Sequence, residues 1–281
     1  QGGIIAWKNG DSPEKLEKDI LNAGCYYNNF EAVKVLAQEG PKLVFEFLID
    51  KVGIQFSSNS KGELDYTEEA AHSERRILHF SDYTGEKIED SLIAYAAKIG
   101  INILTNKTAI DLITNNHHSN DYQELYKPRE VLGLYVLNNN SGEVETFFSN
   151  SVILATGGVG NLYQYTTNPS SATGDGISMA YRAGADIINS EFIQFHPTAL
   201  FHKDIKRFLI SESLRGEGAK LINHNGEQFM ERYSPQKELA PRDVVARAIY
   251  QEMNRTGKEY LFLDLAHFYN GSTPIKERFS K

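Results

Sequence analysis

The sequence predicts an α/β fold up to about residue 190 and a smaller α+β segment after it, and three observations carry that prediction. Thr84 caps a run in which Ile88, Leu92, Ile93, Tyr95 and Ala96 keep helical spacing; Gly100 ends it, and Ile101–Leu104 then reads as a strand. Val131–Leu137, an Asn-Asn-Asn-Ser-Gly turn, Glu143–Phe148 and Val152–Ala155 form a meander that runs into Thr156-Gly157-Gly158. After Ala199 the apolar pattern becomes shorter and more mixed until Leu239, where Pro241-Arg242-Asp243 opens a helix through Met253.

The remaining elements follow from the same rules. Ser12-Pro13-Glu14, with Leu16, Ile20 and Leu21 behind it, is an N-cap, a proline at the first helical position and an apolar face ending at Gly24. Between Phe30 and Val52, Val33, Leu36, Val44, Phe47 and Leu48 keep helical spacing, and Gly40-Pro41 divides the run into two helices. Thr114–Arg129 is polar and aperiodic, a surface loop. Its His117-His118 pair lacks a carboxylate or cysteine at ligand spacing, so no metal site is assigned.

Composition excludes several function classes. A chain of 281 residues with 41% hydrophobic content builds one large core or two modest ones. A net charge of -8 does not suit a nucleic-acid or anionic-membrane surface, which needs clustered Lys and Arg. No apolar run of about 18 residues is available to span a membrane. The single Cys25 cannot close an internal disulfide, which fits a reducing compartment, read here as the cytoplasm. The opening Gln1-Gly2-Gly3-Ile4, without Met or a signal-peptide pattern, reads as an internal start.

The chemistry-bearing motifs are individually ambiguous. Thr156-Gly157-Gly158 ends a strand where glycine lets the backbone approach a ligand, yet an ordinary glycine turn would look the same. Asp175, in Thr173-Gly174-Asp175-Gly176, sits at a helix start; it would repel a pyrophosphate, so a cofactor role needs a hydroxyl, an amide or water as its partner. Taken singly, His196 is a structural histidine, Glu212 with Arg215 a surface ion pair three residues apart, and Arg242 a solvated helix start.

Together the blocks Gln194–Leu200, Ile210–Ala219 and Glu238–Arg247 resemble the flavoprotein family of succinate dehydrogenase, fumarate reductase and L-aspartate oxidase. The resemblance covers essentially the whole chain. Within that family, Glu69 ahead of His72-Ser73-Glu74-Arg75-Arg76-Ile77-Leu78-His79, His196-Pro197-Thr198-Ala199-Leu200 and the proline before Arg242-Asp243 are similar to the aspartate oxidase branch. The roles of His72, His79, Arg75 and Arg76 stay open.

The resemblance implies a partial FAD-binding domain of the two-dinucleotide-binding type over residues 1–190. A smaller α+β capping (substrate) domain follows over 191–281, incomplete at its C-terminus. It implies non-covalent FAD beside Gln1, Gly2, Gly3, Thr156, Gly157 and Asp175. His196 and the Ser211 hydroxyl would hold a substrate carboxylate; Arg242 would shuttle a proton with Glu212 and Arg215 as its relay; Glu69 would face the substrate ammonium. Many relatives carry Thr where Ser211 stands.

The implied reaction oxidises L-aspartate to iminoaspartate with oxygen or fumarate as electron acceptor, at the start of NAD biosynthesis and in functional link with quinolinate synthase. A succinate dehydrogenase or fumarate reductase flavoprotein subunit is the alternative within the family. A non-catalytic unit is the alternative outside it, because the chain lacks the Gly-x-Gly-x-x-Gly strand and helix that normally open a flavin domain. The isolated chain is therefore expected to retain little FAD on purification, and a yellow sample with a bound-flavin spectrum would contradict this.

Overall fold

The computed structural model describes residues 2–59, 61–69, 71–81, 83–117, 119–205, 208–269 and 274–275. Gln1 and His118 lie outside the described residues. Helices and sheets mix along the chain, and two compact units form: Gln1–Ile101 with Phe195–Phe201 and Leu209–Lys281, and Asn102–Gln194 with His202–Phe208. This division by compactness does not follow the boundary near residue 190.

In the first unit, helix α1 (Pro13–Ala23) starts as expected: the Ser12 side chain accepts from the Lys15 N–H, Pro13 sits in the first turn, and Leu16 and Asp19 are buried. Helix α2 (Phe30–Leu43) is capped by Asn29 and carries Pro41 inside it. The chain does not break at Gly40-Pro41; it continues as a π-helical run, Val44–Val52, ended by Gly53 in the left-handed region. Pro41 removes only one N–H from the ladder, and the helix runs through it before passing into the π-helical run.

Strands β1 (Ile4–Ile5), β2 (Tyr66–Thr67) and β3 (Ile77–Leu78) form a small antiparallel sheet with β3 central. Ala6, Val44, Ile54, Phe56 and Leu78 build a core with it. Helix α3 (Thr84–Lys98) begins at the expected cap position itself, one residue early: Thr84 is its first residue, and its hydroxyl accepts from the Phe80 N–H instead of capping the helix.

The later part of the same unit holds α5 (Ser213–Gly216), the antiparallel pair β7 (Lys220–Ile222) and β8 (Phe262–Asp264), and α6 (Arg242–Thr256). Leu221, Phe229, Met230, Ala240, Val245 and Ala248 form a second core. Pro241 precedes α6 and Gly257, at φ 63, closes it with its N–H on the last carbonyls, so Arg242 lies in the first turn.

The second unit is an antiparallel sheet of β4 (Lys107–Thr114), β5 (Val131–Asn138) and β6 (Val144–Phe148), with α4 (Asp175–Arg182) beside β4. The meander therefore uses β4 in place of Val152–Ala155. Neither Ile101–Leu104 nor Val152–Ala155 pairs into a strand. Both stretches are largely exposed, Ile153 to 90%, because an apolar segment becomes a strand only when a neighbouring strand accepts its backbone hydrogen bonds. Among the described residues, no helix is long and apolar enough to cross a membrane and no group of three or more potential metal ligands assembles.

Candidate functional site

Five of the six residues singled out for catalysis and substrate binding gather around one ion-pair cluster in the first unit. Arg242 Nε donates to Glu212 Oε2 at 2.6 Å, its Nη2 lies 3.8 Å from Glu69 Oε2, and Glu212 Oε2 lies 3.5 Å from Arg215 Nη2. Placing Arg242 in the first turn of α6 puts its charge at the positive end of the helix dipole, so the two carboxylates offset an otherwise unfavourable location. Burial lifts the Glu69 carboxyl above the usual carboxylate range; the Glu212 charge adds to this and Arg242 opposes it.

Arg215 is 2% exposed. Its Nη1 donates to the Glu238 carbonyl at 2.7 Å, while Nε and Nη2 make no hydrogen bond to protein. Burial, with Arg242 adding to it, holds its pKa below the ordinary arginine value against the pull of Glu212 and Glu238. A buried guanidinium with two unsatisfied donors is costly, an arrangement that suits a group exchanging a proton or meeting an anion.

His196 is brought to the same place by a short antiparallel pairing. Ala199 bridges Leu209, the Ile210 N–H donates to the Thr198 carbonyl at 2.9 Å, and the Thr198 hydroxyl donates to the Ile210 carbonyl at 2.8 Å. Ser211 follows directly on that second strand. The Thr198 N–H donates to His196 Nδ1 at 3.2 Å, which makes Nδ1 an acceptor and leaves the proton of the neutral ring on Nε2. Burial, then the Arg242 and Arg215 charges, push the His196 pKa down to about 4, so near neutral pH the ring is an uncharged Nε2–H donor.

The segment carrying Glu69 shows what the sequence left open. Arg76 is fully buried, with Nε and Nη2 on the two oxygens of Asp11 at 2.7 and 2.9 Å and Nη1 on Asp19 Oδ2 at 2.5 Å. Arg75 donates to the Tyr66 carbonyl, and His79 Nε2 lies 3.3 Å from Asp65. Burial and the neighbouring Arg76 hold His72 below the ordinary histidine range. The roles of Asp11, Asp19 and Thr198 are not legible in the sequence, since no local spacing links Asp11 and Asp19 to an arginine more than fifty residues away.

In the first unit, a Cβ on Gly3 would stand 2.1 Å from Ile77 Cγ2 and 2.6 Å from the Leu78 carbonyl oxygen, so only glycine brings this backbone against β3. Gly2, at φ +71, would place a Cβ 3.6 Å from Glu69 Oε1. In the second unit, Gly157 adopts φ +73 with open space around it, and a Cβ on Gly176 would stand 1.9 Å from Thr156 Oγ1. Thr156 is thus packed on the start of α4, where Asp175 Oδ2 accepts from the Thr173 hydroxyl at 2.7 Å. An exposed, glycine-lined backbone turn beside a helix N-terminus fits a phosphate-bearing cofactor, with the Asp175 carboxylate already engaged by a hydroxyl.

Over residues 1–281 the chain matches the family described as FAD binding domain. It is 44% identical over 273 residues to the L-aspartate oxidase of Yersinia pestis, covering 95% of this chain and 50% of that protein. It is 43% identical over 277 residues to the L-aspartate oxidase of Pseudomonas aeruginosa, with 95% and 50% covered. Among solved structures, a quinol fumarate reductase chain of E. coli superposes with a TM-score of 0.85 at 26% identity, over 99% of this chain and 48% of that chain. The chain spans about half the length of the curated relatives it matches.

Proposed function

This chain belongs to the FAD binding domain family, and on that premise we propose that the whole protein is an FAD-dependent oxidase of L-aspartate, forming iminoaspartate with oxygen or fumarate as electron acceptor. The observation that supports this reading best is the carboxylate of Glu69, 3.8 Å from Arg242 and beside Glu212. An amino dicarboxylate differs from succinate by one ammonium group, and a carboxylate is the chemical partner that selects it.

Gly2, Gly3, Thr156, Gly157 and Asp175 are the residues assigned to hold FAD non-covalently, with Gln1 joining them by its match to the family. When bound, FAD supplies the acceptor for the hydride leaving the substrate carbon. Neutral His196 donates Nε2–H to a substrate carboxylate oxygen, and the Ser211 hydroxyl donates a second bond that fixes the same group. Arg242 exchanges a proton with Glu212, hydrogen-bonded to it at 2.6 Å, and Arg215 extends the line from Glu212. A lone arginine is a poor base, so the acidic partner and the burial of the cluster are part of the device.

The product would pass to quinolinate synthase in NAD biosynthesis, in the cytoplasm. The free, exposed Cys25 fits that reducing compartment. A capping role for residues 191–281 belongs to the same reading. The likeness to a quinol fumarate reductase favours a second one, a flavoprotein subunit acting on succinate or fumarate. Flavin bleaching by L-aspartate against succinate separates the two.

Glu69→Gln tests the assignment directly. It keeps the side-chain shape and removes the charge, so the KM for L-aspartate is expected to rise about tenfold or more, far beyond the change for fumarate or succinate. Equal rises for all three substrates would refute it.

A further inference from the structure

We propose that the buried Asp11–Arg76–Asp19 cluster is a positioning device that holds the turn carrying Glu69 and so sets how sharply an ammonium-bearing dicarboxylate is told from an unsubstituted one. The inference rests on the assignment of Glu69 to ammonium recognition.

Glu69 begins a tight turn closed by the His72 N–H on the Glu69 carbonyl at 3.3 Å. Ala71 within it adopts φ +69, a left-handed backbone that a residue with a Cβ holds only when its surroundings impose it. The next residue after the turn, Ser73, is where the imposition enters. Its N–H and its hydroxyl both donate to Asp19 Oδ2 at 2.9 Å. The same oxygen accepts from Arg76 Nη1 at 2.5 Å, so one carboxylate oxygen on α1 gathers three donors from residues 73–76.

Arg76 is held from the other side as well. Both Asp11 oxygens accept from it, and Asp11 is itself fixed at the start of α1, where its Oδ1 accepts from the Ser12 N–H at 2.9 Å. The Arg76 carbonyl accepts from the Ala6 N–H at 2.9 Å, which ties the far end of the segment to the fully buried Ala6. The turn is thus bolted to α1 four residues after Glu69 and again seven residues after it.

Stability alone is a weak account of this cluster. Two carboxylates and one guanidinium taken out of water carry a desolvation cost that well-packed apolar residues would avoid, so their effect is better sought in geometry. Glu69 stands 3.8 Å from Arg242, outside hydrogen-bond range, where a shift of about 1 Å decides whether its carboxylate meets a substrate ammonium or collapses onto the arginine.

The test uses the whole FAD-loaded protein and a double-mutant cycle. Arg76→Lys and Ser73→Ala are each made alone and in a Glu69→Gln background, and KM is measured for L-aspartate and fumarate, with kcat and Tm. Arg76→Lys is expected to raise the aspartate KM about tenfold while the fumarate KM moves less than about twofold, and to add little once Glu69 is Gln. Should Arg76→Lys fail to fold, Ser73→Ala, which removes one bond of the clamp, carries the same cycle with a smaller shift of the same pattern. Equal KM rises for both substrates, or effects that add fully to Glu69→Gln, overturn the proposal while leaving aspartate oxidation intact. A wild-type protein with no aspartate turnover overturns the reading of Glu69 and this inference with it.

Discussion

Arg242→Lys is expected to lower the turnover of L-aspartate by about 100-fold or more while the protein remains folded and flavin-loaded. The geometry gives the reason. Arg242 reaches Glu212 through Nε at 2.6 Å and faces Glu69 through Nη2 at 3.8 Å, two directions from one planar fork. A lysine ammonium is a single point on a flexible stem and cannot occupy both positions, so either the relay partner or the ammonium-facing carboxylate loses its cation. Stopped-flow reduction of the flavin by L-aspartate measures the step. With His196 and Ser211 in their proposed role of holding the carboxylate, KM is expected to change less than kcat. Full turnover in Arg242→Lys would remove Arg242 from the proton relay.

Glu252→Gln is expected to destabilise the fold by about 3 kcal/mol without touching the cluster around Arg242. Its side chain is 0% exposed and accepts five hydrogen bonds: Oε1 from Asn223 at 2.8 Å, Arg232 at 3.0 Å and Arg255 at 2.7 Å, Oε2 from Tyr233 and Arg255 at 3.1 Å each. Arg255 first, then Asn223, Tyr233 and the Arg232 charge, outweigh the burial penalty and push its pKa down to about 2. A depressed carboxylate pKa contributes stability that is fully present above the unfolded value near 4.5 and is lost as pH falls through about 2. Thermal melts from pH 7 to pH 2 measure both effects. Glu252→Gln should lower Tm by roughly 5–10 °C at pH 7 and should remove part of the acid sensitivity below pH 4.5. A Tm unchanged at pH 7 would show that the network is not a source of stability.

Both variants bear on α6, one at its first turn and one at its third, and the helix itself was plain in the sequence. Pro241-Arg242-Asp243 at the start of the run is a signal that works within a few residues, and it placed the helix through Met253, close to its end at Thr256. The same local logic identified α1 from Ser12-Pro13 and placed β5 and β6 on either side of the Asn-Gly turn. It failed where an element depends on a distant partner. Lys107–Thr114 contains Lys107, Asp111 and two threonines, and becomes β4 because β5 accepts its ladder; Ile101–Leu104 and Val152–Ala155 look more strand-like and pair with nothing among the described residues.

The site divides in the same way. His196, Ser211, Glu212, Arg215 and Arg242 are legible as residue types in three dense blocks, and Glu69 as a carboxylate ahead of a His-Ser run, because a motif is a property of neighbouring letters. The sequence by itself determined the family, the helices with local caps and the residues proposed for the chemistry. Tertiary structure alone decided that Glu69 would stand against Arg242, that Thr198 would fix the His196 tautomer and that Asp11 and Asp19 would lock Arg76. The physical reason is that hydrogen bonds and charge pairs act over a few ångströms of space, while Arg76 and Asp19 are 57 residues apart along the chain.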